Sequence, residues 1–154
     1  MAEVVARRFD RHETARLRRR RDDVWIAASA LVAAMLSLPL AQSSWHSAEV
    51  ASCLAIAATA MLAGQRWAIS VVIIAELLLI PTVWPRVFLS DMDWQLRTSA
   101  VISMLAIVPG LLAVRRGAAA LVLLTGRART QRICRRFQVA LVVTGVIATM
   151  LPLL

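Results

Sequence analysis

Five apolar runs separated by short arginine-rich segments constrain the fold of this chain more than any other feature. The runs are residues 24–41, 47–64, 67–84, 98–114 and 138–154. As helices rising about 1.5 Å per residue, each would be about 26 Å long, at the short end of what crosses a bilayer. Hydrocarbon cannot satisfy exposed backbone groups, so segments that cross it must be helical. The pattern predicts an all-α integral membrane protein, a bundle of about five transmembrane helices.

Composition agrees with this prediction once its distribution along the chain is considered. Hydrophobic residues make up 60% of the chain, against roughly 45–50% in soluble domains. The net charge is nevertheless +9, from 18 arginines and no lysine against 9 acidic residues. High hydropathy and high charge coexist because the two kinds of residue are segregated, which is typical of membrane proteins.

The placement of arginines predicts an orientation in a cytoplasmic (inner) membrane. Residues 1–23 form a basic N-terminal segment, and residues 24–154 form the transmembrane helical domain. With the N-terminus inside, the cytoplasmic segments, including the connection 115–137, hold every arginine except Arg86 and Arg97. Cytoplasmic loops of membrane proteins carry such an excess. Five crossings then place the C-terminus outside.

The five tryptophans support the same placement of the membrane. Trp25 and Trp67 fall at predicted inner ends, Trp45 and Trp84 at predicted outer ends, and Trp94 just before the fourth run. Tryptophan is enriched where a helix meets the membrane–water interface, because its ring is apolar and its N–H is polar.

Other features predict local structure. Residues 117–125 are apolar but too short to span, so they are a helical continuation or an interfacial segment. Asp22 and Asp23 are predicted to cap the first helix. Pro109, inside the fourth run, predicts a kink.

Small residues at four-residue spacing predict that the first two runs form a close antiparallel pair. The stripes are Ser29, Ala33, Ser37 and Ala41 in the first run, and Ser47, Ala51, Ala55, Thr59 and Ala63 in the second. The third run is bulky on all sides, from Val71 to Ile80. It is therefore expected to face lipid or a partner protein.

Glu76 is the one ionisable residue near the middle of a run. A charge there costs several kcal/mol, so the side chain should be neutral or bonded to a partner. Thr59, Ser103 and Thr144 lie at similar predicted depth. The structural interpretation is a neutral carboxyl group bonded to a hydroxyl or a backbone carbonyl. The functional alternatives are a proton or cation site, or contact with a charged partner helix.

The basic segments beside the runs are expected to contact anionic lipid headgroups, worth about 1 kcal/mol per residue. The candidates are Arg18, Arg19, Arg20, Arg21, Arg132, Arg135 and Arg136. Nucleic-acid binding is not expected, because no aromatic residues are interleaved with these arginines. No motif indicates a cofactor, a metal or a catalytic residue, and Cys53 and Cys134 are expected to stay unpaired.

Two classes of function follow from these observations. The first is a non-enzymatic accessory or structural subunit of a membrane protein complex, favoured by the bulky third run. The second is a small transporter or channel that uses Glu76 as a proton or cation site, favoured by Glu76 itself and by the predicted kink.

We expect reporter fusions to the two ends of the chain to respond from opposite sides of the membrane. The N-terminal fusion should be active only in the cytoplasm and the C-terminal one only outside, because the number of crossings is odd. Two ends on the same side would show that the number of crossings is even.

Overall fold

The computed structural model describes residues 2–40, 45–88, 93–126 and 130–150, with side chains omitted for residues 2–12, 45–47, 86, 148 and 149. The regular secondary structure of these residues is α-helical, with short turns between the helices and no strand, which confirms the predicted all-α class. The described residues form six helices, α1 (Ala2–Ser37), α2 (Trp45–Leu62), α3 (Ala68–Phe88), α4 (Trp94–Leu112), α5 (Val114–Leu124) and α6 (Gln131–Met150).

Among the described helices, two are long and apolar enough to cross a membrane, judged by length and composition alone. They are α3, over Ala68–Pro85, and α4, over Trp94–Leu112. The apolar part of α2, Ala48–Leu62, is shorter. Five crossings therefore remain a prediction from the sequence pattern.

The first helix begins far upstream of the first apolar run. Because α1 continues without a break from Ala2 to Ser37, Asp22 and Asp23 lie inside it, and the predicted cap at these residues is wrong. Asp23 instead accepts a hydrogen bond and ion pair from Arg116, in the first turn of α5. The basic N-terminal segment is thus a continuous extension of the helix that carries the first run.

The central element of the fold is α3, which packs against the five other helices. Of its apolar window, 56% is buried, against 22% for α4. Val72, Ile73, Leu79 and Val83 are all buried. The expectation that the third run faces lipid is therefore wrong, because bulky side chains also suit the centre of a bundle when the surrounding helices present small residues.

Glycines on three neighbouring helices leave room for the bulky side chains of α3. A Cβ built on any of the three would overlap an α3 side chain. The pairs are Gly110 of α4 with Glu76, Gly117 of α5 with Ile73, and Gly145 of α6 with Leu77, whose Cδ2 would lie 2.8 Å from that Cβ. Positions 73, 76 and 77 lie on one face of α3, because residues three and four apart are neighbours on a helix. We call these three contacts the glycine sockets.

The first two helices pack together, as their small residues predict. Ala33, Ser37 and Ala51 are buried, whereas Thr59 and Ala63 are exposed. A strict four-residue spacing drifts about 40° around the helix at each step, so such a stripe leaves the interface after a few turns. The buried face of α2 follows the three-and-four spacing instead, with Ala51, Leu54, Ala58 and Met61. Ala41 and the Ser47 side chain lie outside the described residues.

The fourth and fifth helices are separated by one residue. Ala113 lies between them, and its N–H donates to Gly110 O at 2.9 Å. The segment 117–125 is thus almost entirely helical, but in a short helix of its own that packs against α3 and α6. Pro109 lies within α4, and α3 continues through two prolines to Phe88.

Replacing Ala33 with leucine should destabilise the bundle by about 1–3 kcal/mol, the usual cost of overpacking. Ala33 is wholly buried, and its carbonyl accepts a hydrogen bond from Ser103 of α4 at 3.2 Å, so α1 and α4 lie close together there. Ala28→Leu is the matched control, because Ala28 is exposed on the same helix. Thermal unfolding in mild detergent should separate the two variants, and equal midpoints would contradict the packing.

Candidate functional site

Glu76 lies in the interior of the bundle, midway along α3. Its side chain is 0% exposed and is among the largest fully buried side chains. The surrounding residues of α3 are apolar, and the carboxyl group lies directly over Gly110 of α4. The sequence places a carboxyl group here because position 76 shares a buried face with Ile73 and Leu77, and because the facing backbone lacks a Cβ.

The hydroxyl partners expected for Glu76 are bonded elsewhere. Ser103 Oγ donates to Ala33 O at 3.2 Å, and the exposed Thr59 Oγ1 donates to Ile56 O at 2.8 Å. Thr144 Oγ1 likewise donates to Ala140 O at 2.9 Å. Thr59 and Thr144 bond to the carbonyl three or four residues earlier on their own helix, as hydroxyls on helices commonly do. Ser103 bonds instead to a carbonyl of α1.

Neither carboxyl oxygen of Glu76 has a hydrogen-bond partner among the residues that the structure describes. The hydrogen bond expected from the sequence is therefore not formed. A carboxylate charge at this position would be dehydrated and unpaired, which costs several kcal/mol. The neutral acid is the form that this environment accommodates, and even that form leaves polar atoms unsatisfied.

The role of Gly110 was missed by sequence reasoning. The Pro109-Gly110 pair predicted a kink, and the sequence alone did not show which helix faces the glycine. The sequence does contain a signal for this contact, which is an ionisable residue in one apolar run and a glycine in the next. The signal identifies the contact only when the two helices are known to be neighbours.

The predicted lipid-contacting arginines are exposed on two separate helices. Arg18, Arg19, Arg20 and Arg21 lie on α1, and Arg132, Arg135 and Arg136 lie on α6. Arg19 and Arg20 line a cavity with Arg16, Arg66 and Arg116, a grouping that the sequence did not suggest. The missed signal is the spacing of Arg16, Arg19, Arg20 and Asp23, which share one helix face.

Within the described ranges, no group of three or more His, Cys, Asp or Glu residues is arranged to hold a metal ion. Cys53 is exposed, Cys134 is half-buried, and both are free thiols. Compared with known protein families, curated proteins and solved structures, the chain matches none.

Gly110→Ala should destabilise the protein by about 1–3 kcal/mol, because the new Cβ would occupy the position of the Glu76 carboxyl group. Combining it with Glu76→Ala should recover part of this loss, since the smaller side chain empties that space. We expect a favourable coupling of about 0.5–3 kcal/mol in the double-mutant cycle, measured by denaturant unfolding in detergent.

The control is Gly117→Ala combined with the same Glu76→Ala. That glycine meets Ile73 and not Glu76, so the coupling with Glu76→Ala should be clearly smaller. Equal coupling at both glycines would show that Gly110 has no specific contact with Glu76.

Proposed function

We propose that this chain is a multi-pass helical protein of the cytoplasmic membrane and acts as a non-enzymatic accessory or structural subunit of a membrane protein complex. It crosses the membrane five times, with the N-terminus in the cytoplasm and the C-terminus outside. The observation that carries the proposal is the use of its buried polar groups in helix packing, combined with an apolar outer surface.

Many large apolar side chains are exposed on the outer surface of the bundle. The described exposed ones on α4 and α6 include Val101, Ile102, Leu105, Val108 and Leu112, then Val139, Val142, Val143, Val146, Ile147 and Met150. Soluble monomers rarely expose contiguous apolar patches above a few hundred Å². Lipid tails, or the helices of another membrane subunit, are the surroundings that suit such faces.

Polar and aromatic side chains at the ends of the bundle also support a membrane location. The exposed fractions of Trp25, Trp67 and Trp94 are 66%, 41% and 69%. A surface indole is favourable at a membrane interface, where its ring and its N–H meet different solvents. The exposed arginines of α1 and α6 suit contacts with anionic headgroups.

Inside the bundle, the described polar side chains either donate hydrogen bonds to helix carbonyl groups or fill the space between two helices. Ser103 bonds across to α1, Ser37 donates to Ala34 O at 2.9 Å, and Glu76 fills the socket at Gly110. Small and polar residues drive helix association in lipid, where hydrophobic association contributes little. This use of the interior supports a structural role.

The second candidate function is a small transporter or channel in which Glu76 binds a proton or a cation. Its support is that the carboxyl oxygens of Glu76, in the middle of α3, have no hydrogen-bond partner within the described part of the chain. An ionisable residue within a membrane span often marks a proton or ion pathway. Such a pathway would require the contact with Gly110 to open during transport.

Glu76→Gln separates the two functions, because glutamine has nearly the shape of glutamate and carries no titratable proton. For an accessory subunit, the variant should fold, and it should co-purify from mild detergent with the same partners at the same stoichiometry. For a transporter, it should fold but lose proton or cation flux in vesicles. Glu49→Gln, on the exposed side of α2, is the control.

Glu76→Leu tests whether the carboxyl group itself joins a partner, since that variant should fold alone but lose the complex. Flux by the purified wild-type chain, abolished in Glu76→Gln, would overturn the accessory role. A wild-type chain that is monomeric and without stoichiometric partners would do so as well.

A further inference from the structure

A cavity of about 720 Å³ lies at one end of the bundle, between α1, the turn that joins α2 to α3, and α5. Among the described residues, five arginines and one acidic residue line it, so its charge is strongly positive. They are Arg16, Arg19, Arg20, Arg66, Arg116 and Asp23. We call this the arginine cavity. Its volume lies within the range of about 300–1,000 Å³ that is typical of small-molecule sites.

Three separate segments bring these arginines together. Arg16, Arg19 and Arg20 share one face of α1, whereas Arg18 and Arg21 lie roughly opposite on the same helix. Arg66 lies in the turn after α2, where Gly64 adopts a φ of +87°. A side chain is disfavoured at that φ, so glycine lets the chain reverse and places Arg66 beside α1.

Arg116 is held in place by the acidic residue of the cavity. Its guanidinium donates to Asp23 Oδ1, and the two side chains are 34% and 33% exposed. The pair joins α1 to α5 and neutralises one of the five positive charges. The arginines still exceed the acidic residue by four charges, which favours an anionic ligand.

The remaining wall of the cavity is largely apolar. The apolar residues there include Val24, Met61, Leu62, Ile69 and Leu123. A free inorganic anion would gain nothing from such a wall. A ligand that is anionic at one end and hydrocarbon at the other would use both parts.

We propose that the arginine cavity binds one anionic phospholipid, with its phosphate among the arginines and an acyl chain along the wall formed by α2 and α5. Arginine suits this role because its planar guanidinium contacts phosphate oxygens in pairs. Basic pockets between helices on the cytoplasmic side of membrane proteins bind such headgroups. The inference rests on the proposed membrane location.

The predicted orientation places all three lining segments on the cytoplasmic side. They are the start of the first run, the connection between the second and third runs, and the residues that follow the fourth run. The cavity would therefore open to the leaflet that carries most anionic lipid.

The test uses the full chain in mild detergent, titrated with short-chain phosphatidylglycerol, with phosphatidylcholine of equal chain length, and with inorganic phosphate. Binding is followed by native mass spectrometry and by the fluorescence of the tryptophans. Arg19→Gln with Arg66→Gln removes two exposed charges from the cavity. Arg97→Gln with Arg115→Gln removes the same charge at exposed positions that do not line the cavity.

We expect the cavity double variant to weaken phosphatidylglycerol binding about 30-fold and the control less than about twofold. Equal weakening by both variants would overturn the proposal, because it would show attraction to the net charge alone. Equal affinity for phosphatidylcholine would also overturn it. Saturation by inorganic phosphate at the same concentration would show a site for free anions instead.

Extraction of membranes at alkaline pH distinguishes failure of this site from failure of the proposed function. A chain that stays in the membrane but shows no arginine-dependent lipid binding overturns the site alone. A chain that is released as a peripheral protein overturns the membrane location, and with it the lipid site.

Discussion

The close approach of three helices to α3 is the constraint on which the rest of the structure depends. Gly110, Gly117 and Gly145 each allow a side chain of α3 to lie against the backbone of a different helix. Dispersion energy falls steeply when surfaces separate, so this close approach adds packing energy that a Cβ at the same positions would remove. Because of the glycine sockets, a helix with bulky side chains can lie at the centre of the fold.

The two candidate sites depend on this same centre. Glu76 is buried because Gly110 lets α4 close over it, and none of the residues that the structure describes bonds to its carboxyl oxygens. At the end of the bundle, α5 is positioned by Gly117 against Ile73 and by Arg116 against Asp23. The wall of the arginine cavity is therefore fixed by a socket on one side and by an ion pair on the other.

The sequence predicted where the helices lie along the chain, but apart from the first two helices it did not predict which helices pack against one another. Hydropathy and arginine placement predicted the helices that carry the five apolar runs and identified Glu76 as an interior residue. They could not show that the third run is central, because a helix that is apolar all round looks the same whether lipid or protein surrounds it.

The remaining errors have the same origin. The hydroxyls of Ser103 and Thr59 lay at the predicted depth of Glu76, but depth does not fix direction around a helix axis. Both hydroxyls bond to carbonyl groups away from Glu76. Asp23 looked like a cap because the charged segment before it appeared to be separate from the helix. Its partner Arg116 is 93 residues away in sequence, beyond the reach of any local pattern.

The unbroken α1 has a mechanical consequence. Its 36 residues form a helix about 54 Å long, and the part that follows the Asp23–Arg116 pair contains the buried residues that pack against α2 and α4. Because the helix is continuous, a sideways load at its basic end would be transmitted along its axis, past the ion pair, to the contact between Ser103 and Ala33. We therefore expect displacement of the N-terminal segment to reach α4 in the middle of the bundle.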